Sequence, residues 1–188
     1  MTWYQCFGSI PPAPSVTSWP GEWRSKSSCK QEAEVTFHLA ENQTLKTEIK
    51  EENWFRLNYD ANAGLTCGEM LSFGAPDLPG EQRFFNLPKH TWTSSVLEDD
   101  LHIFGFPRFS CCFKLIGDSH GHLAAKFCDV FPDGKSRLIS YGVINLNHHK
   151  SNETPEELVE GQRFHNLHFN CSLPIKLICN SPSILKHK

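Results

Sequence analysis

Pro132-Asp133-Gly134 is the feature that most limits what this chain can fold into. Proline presets φ and glycine accepts a positive φ without steric cost, so the tripeptide is a turn signal. Leu123, Ala125 and Phe127 alternate with other residues before it, and Ile139, Tyr141 and Val143 alternate after it. Period-two alternation on both sides of a short turn predicts a β-hairpin across Cys128 to Leu146. A chain built on such a hairpin needs further strands to cover its apolar face.

The rest of the sequence supplies strand-like stretches at short spacing. Glu34–Leu39, Thr44–Lys50 and Asn53–Tyr59 read as strands, the last anchored by Trp54 and Phe55, with a turn at Glu41–Gln43. Strands follow at Thr91–Val96 and Leu101–Phe104. In Arg108–Ile116, Phe109, Cys111, Phe113 and Leu115 share one face, while Arg108, Ser110, Cys112 and Lys114 share the other. Gln162–Cys171 reads as a last strand, after a polar loop over His148–Gly161. Asp60–Pro88 is a Gly/Pro-rich loop, long enough to imply a binding or docking role. Residues 1–32 read as an irregular arm, residues 33–172 as the domain, and residues 173–188 as a tail with a short apolar run. Many short strands without a long 3.6-residue period predict an all-β sandwich of jelly-roll type.

Composition narrows the function classes. The 188 residues include five Trp and fourteen Phe, which suits a packed core rather than disorder. A net charge of −3 without basic runs speaks against nucleic acid, and no apolar run is long enough to span a membrane. The first residues lack the basic and apolar regions of a secretory leader. The sequons at Asn42, Asn152 and Asn170 therefore read as coincidental, and a cytoplasmic location is expected. Eight cysteines occur without a Cys-x-x-Cys pair, so they read as reduced thiols, with Cys111 and Cys112 on opposite strand faces.

Three groups of residues invite a chemical reading. Gly117-Asp118-Ser119-His120-Gly121 fits the G-x-S-x-G nucleophile elbow, and Asp133 and His148 follow in triad order. An elbow needs a strand leading into a helix within a parallel sheet, and no βαβ pattern is present; a surface turn before a strand is the alternative. His120/His122, His148/His149 and His165/His168 have spacings that zinc could use, but lack acidic or thiolate partners at ligand spacing. Trp19, Trp23, Trp54 and Trp92 would suit a sugar platform, or core and docking surface. No catalytic, cofactor-binding or metal-binding residue is assigned.

Several ordered motifs resemble one family. Asp129-Val130-Phe131-Pro132-Asp133-Gly134 with Gly142-Val143-Ile144-Asn145-Leu146 is similar to its Asp-Val-x-Pro-Asp-Gly…Gly-Val-Leu-Asn-Leu pattern. Asn58-Tyr59-Asp60 with Gly68, Thr93–Asp99, Leu101–Pro107, and His148-His149-Lys150-Ser151 with Pro155 and Leu158 resemble further motifs in the same order. The family is the C-terminal domain of Xaa-Pro dipeptidyl-peptidases and cocaine-esterase-like acyl hydrolases. The resemblance implies a galactose-binding-like jelly roll that accompanies an α/β-hydrolase catalytic domain holding the Ser-Asp-His triad, with no triad residue in this chain. The alternative is a free-standing module that binds carbohydrate or peptide. After Cys171 the sequence departs from the family pattern, so a sandwich short of its last strands, with edges open to self-association, is expected.

Overall fold

The computed structural model describes residues 2–8, 11–13, 15–16, 18, 20–26, 35–48, 53–58, 60, 78–83, 90–98, 101–105, 107–117, 120–159, 162–170 and 175–178. Among these the regular structure is ten strands and short 3-10 turns, so the fold is all-β. The strands are β1 (Thr2–Gly8), β2 (Gly21–Lys26), β3 (His38–Ala40), β4 (Thr44–Lys46), β5 (His102–Gly105), β6 (Arg108–Lys114), β7 (His122–Val130), β8 (Ser136–Asn145), β9 (Arg163–Asn170) and β10 (Ile175–Ile178). One sheet runs β2-β1-β10-β5; β3-β4, β6-β9 and β7-β8 form two-stranded sheets. No helix among the described residues is long and apolar enough to cross a membrane. The chain divides into two compact units: Met1–Ile103 with Cys128–Leu138 and Lys176–Lys188, and Phe104–Phe127 with Ile139–Ile175.

In the first unit, β1 and β2 pair antiparallel from Thr2↔Lys26 to Phe7↔Gly21. The stretch read as an irregular arm thus carries two strands. Trp3, Tyr4 and Phe7 favour extended backbone, and Pro11, Pro12, Pro14 and Pro20 gather in the connection. β10 runs parallel to β1, with Phe7 opposite Leu177. The divergent tail therefore adds a strand where the resemblance implied a missing one.

β3 and β4 form a tight hairpin. Its turn holds Asn42 at φ 55° and Gln43 at φ 58°, the left-handed region that asparagine tolerates better than most residues. The strand expected over 34–39 shrinks to His38–Ala40; Val35 and Phe37 stand exposed before it. The expected strand Asn53–Tyr59 does not form over its described residues 53–58. Trp54 is 65% exposed, and Phe55 instead meets the Trp92 ring edge-on at 5.0 Å. Thr91–Val96 reduces to one parallel bridge, Thr44↔Thr93, with Leu45 N–H donating to Thr93 O and Thr93 N–H to Gln43 O, each at 2.9 Å.

The second unit is built on β6 and β9, antiparallel from Arg108↔Asn170 to Lys114↔Arg163 with a bulge between Cys111 and Phe113. Burial along β6 alternates strictly, as its sequence predicts. Its core is Leu115, Leu146, Leu158 and Phe164, with Cys111, Phe113, Leu123 and Ile144 packed against it. Gly121 lets the chain pass close by. A Cβ there would lie 3.0 Å from the Leu146 side chain, and the Gly121 carbonyl accepts the Leu146 N–H at 2.8 Å.

β7 and β8 form the expected hairpin, one end in each unit. Alternation alone predicts one buried face with Ile139, Tyr141 and Val143 inward. Ser136, Arg137, Ser140 and Gly142 are buried as well, and Val143 is exposed. The hairpin is therefore covered on parts of both faces, which a period-two reading cannot show.

Candidate functional site

The motif residues become two hydrogen-bonded loops. The first, in the first unit, is the tip of the β7-β8 hairpin. Gly134 N–H donates to Phe131 O and Phe131 N–H donates to Lys135 O, both at 2.8 Å. Gly134 has φ 79°. This is a type I turn closed by a left-handed glycine, which is why Pro132-Asp133-Gly134 folds this way. Asp133 completes it: its Oδ1 accepts the Lys135 N–H at 3.0 Å, and its Oδ2 meets Lys135 Nζ at 3.1 Å. The Lys135 backbone N–H, and secondarily the Lys135 and Arg83 charges, hold the Asp133 carboxyl below the usual carboxylate range.

A strap from the long loop clamps this tip. Gln82 N–H donates to Ser136 O at 2.8 Å, Ser136 N–H to Glu81 Oε1 at 3.2 Å, and Arg83 Nη1 to Asp133 O at 3.2 Å. Glu81 and Arg83 pair at 3.0 Å, and Gln82 is fully buried. Part of the Gly/Pro-rich loop is thus a structural strap. The sequence offers only the Pro79-Gly80 turn as a cue, because the partner lies some fifty positions away. Most of that loop, residues 61–77 and 84–88, lies outside the described residues.

The second loop, in the other unit, is His148-His149-Lys150-Ser151 with Pro155 and Leu158. Asn145 Oδ1 accepts the Asn147 N–H at 3.0 Å. The chain returns where Glu156 N–H donates to Asn147 O at 2.7 Å and Asn147 Nδ2 donates to Glu156 O at 3.0 Å. Ser151 Oγ accepts from the N–H groups of Glu153 and Thr154 at 3.2 and 3.3 Å. Lys150 Nζ reaches both Glu156 carboxylate oxygens at 3.0 Å. Leu158 then plugs into the core.

The candidate triad finds no support in its own partners. Ser119 lies outside the described residues, but residues 122–130 are strand β7, where an elbow requires a helix. Asp133 is committed to its turn, and His148 Nδ1 lies 3.1 Å from Ser151 O. His120 and His122 are exposed, and the side chains of His165 and His168 fall outside what is described. No group of three His, Cys, Asp or Glu poised to hold a metal occurs among the described residues. Of the candidate platform, Trp23 and Trp54 are exposed, Trp92 is half-buried, and Trp19 is outside the described residues.

The described motif segments here build strands, turns and loop closures. Compared with protein families, residues 16–167 match the X-Pro dipeptidyl-peptidase C-terminal non-catalytic domain. The chain belongs to that family. No curated protein matches it. An X-Pro dipeptidyl-peptidase C-terminal domain is an accessory to a catalytic domain in its parent protein, which agrees with motif loops spent on architecture. The match ends before β10, so the added strand lies beyond the family's matched region.

Cys111, Cys112 and Cys128 are free thiols. In this domain Cys111 faces inward on β6 and Cys112 faces solvent, as alternation predicts. Burial, and secondarily the neighbouring Cys112, push the Cys111 thiol up to about 11. The thiolate is the nucleophile, so a maleimide added at neutral pH is expected to label Cys112 at least about tenfold faster than Cys111. Peptide mass spectrometry over a labelling time course reads the two rates; equal rates would contradict the burial difference.

Proposed function

We propose that this chain is the docking partner of an α/β-hydrolase catalytic domain whose activity is X-Pro dipeptidyl-peptidase or the related hydrolysis of acyl esters and amides. The observation that carries this reading is the family match together with a run of exposed apolar residues. Trp54, Phe55 and Leu57 lie outside any ladder and are 65%, 37% and 41% exposed. Such residues become binding hot spots when a partner dries them. On this reading the strands close as a galactose-binding-like jelly roll over residues 33–172. Catalytic, cofactor and metal residues belong to the partner. Self-association through the sheet-end strands β2 and β5 would compete with docking. Free thiols, one of them exposed, suit the reducing cytosol.

The test is to mix the chain with an X-Pro dipeptidyl-peptidase catalytic domain freed of its own C-terminal domain. Calorimetry is expected to detect binding, and Trp54→Ala to weaken it by about 2 kcal/mol or more. No binding, or binding indifferent to Trp54, would overturn the reading. The second reading, a carbohydrate module, draws on Trp23 and Trp54, 66% and 65% exposed. Retention on a glycan array without affinity for the catalytic domain would favour it.

A further inference from the structure

The loop between Leu146 and Leu158 holds one side chain whose contacts change with its proton. His149 Nδ1 lies 2.7 Å from Leu146 O. A carbonyl only accepts, so Nδ1 carries the hydrogen. The neutral ring is then the Nδ1–H tautomer, and Nε2 is a bare lone pair. That lone pair faces Glu156 Oε2 at 3.9 Å. Two acceptors face each other, and the approach gains nothing until Nε2 is protonated.

The ring is held in place. Its side chain is 14% exposed and meets the Phe164 ring edge-on at 4.8 Å. Turning away would cost the Leu146 bond and that packing together. Among the described residues the charged groups beside it are the Glu156 carboxylate and, through that carboxylate, Lys150 Nζ at 3.0 Å. From β9 the uncharged Phe164 ring packs on it, and the adjacent His148 turns its Nδ1 to Ser151 O. Glu156 also carries the backbone closure of the loop to Asn147.

We propose that His149 and Glu156 form a proton-gated clasp on the Asn147–Leu158 loop. A proton taken from solvent by Nε2 converts the facing acceptors into an ion pair across the point where the loop closes. The sign follows directly. The imidazolium interacts better in the closed loop than in an open one, so closure gains when Nε2 takes up a proton and loses when it gives the proton up. Lys150 shares the Glu156 carboxylate, which keeps the gain to that of a partly exposed pair. The clasp belongs to the loop itself and does not depend on the docking partner.

Amide hydrogen exchange at Glu156, corrected for the intrinsic effect of pH, reads loop closure. Between about pH 8 and about pH 5.5, protection in the wild-type chain is expected to rise about 1.5- to 5-fold relative to Glu156→Gln. Lys150→Met keeps the carboxylate and should keep the rise. Equal pH dependence in wild type and Glu156→Gln would overturn the proposal, as would its loss in Lys150→Met. The imidazole nitrogen-15 spectrum gives a readout independent of stability. At about pH 8 it should show His149 as the Nδ1–H tautomer; the opposite tautomer would overturn the proposal even if all variants fold alike.

Discussion

Phe164→Ala is expected to cost about 3–5 kcal/mol, a large share of the roughly 5–15 kcal/mol that holds a domain folded. Phe164 is 3% exposed and sits with Leu115, Leu146 and Leu158 at the centre of its unit. Its ring lies 6.2 Å from the Phe113 ring, its register partner on β6, and 4.8 Å from His149. Truncation removes the contacts of a whole ring and leaves a cavity that the packed neighbours Phe113, Leu115, Leu146 and Leu158 cannot fill by collapsing. Urea unfolding checks it: the midpoint should fall while the slope stays fixed. Val159→Ala, at a residue 68% exposed, should change stability by less than about 0.5 kcal/mol. A loss below about 1 kcal/mol for Phe164→Ala would mean that this core is not closely packed.

Asp129→Ala is expected to cost about 3–5 kcal/mol for an electrostatic reason. Asp129 and Arg137 are 3% and 5% exposed, so two opposite charges are withdrawn from water in one hairpin. Stepping outward from the Phe131–Lys135 pair sets them at facing positions on β7 and β8. Each of the two charges is engaged by interactions in the fold, and removing either one leaves buried polar atoms behind it unmet, so Arg137→Ala should cost a similar amount. Removing both as Asp129→Leu with Arg137→Met should cost well under the sum of the single losses. A double-mutant cycle by chemical unfolding measures the difference. Strict additivity would show that the two charges are satisfied separately.

What the sequence disclosed, and what it hid, divides along local and non-local lines. The Pro132-Asp133-Gly134 turn and the alternation of Phe109, Cys111 and Phe113 are local, and both appear as read. The ordered motifs pointed to the family that residues 16–167 match. Trp54 and Phe55 looked like strand anchors because aromatic residues favour sheets, but a strand also needs a neighbouring backbone, and residues 53–58 have none in a ladder. Val143 was assigned inward by alternation and stands exposed, because the hairpin is covered on parts of both faces. The Glu81-Gln82-Arg83 strap and the strand at Ile175–Ile178 depend on partners far away in sequence, which no window along the chain samples.

The parallel pairing of β1 with β10 has a consequence for synthesis. Phe7 is made well before its register partner Leu177, which emerges only after the hairpin, the bulged ladder and both motif loops have been made. Until then β1 can pair with β2 on one side only, and its other side is an unoccupied template for any extended segment nearby. Completion of that sheet therefore waits on everything between its two strands, and a ribosome stalled before residue 177 would hold out a nascent protein with an adhesive flank.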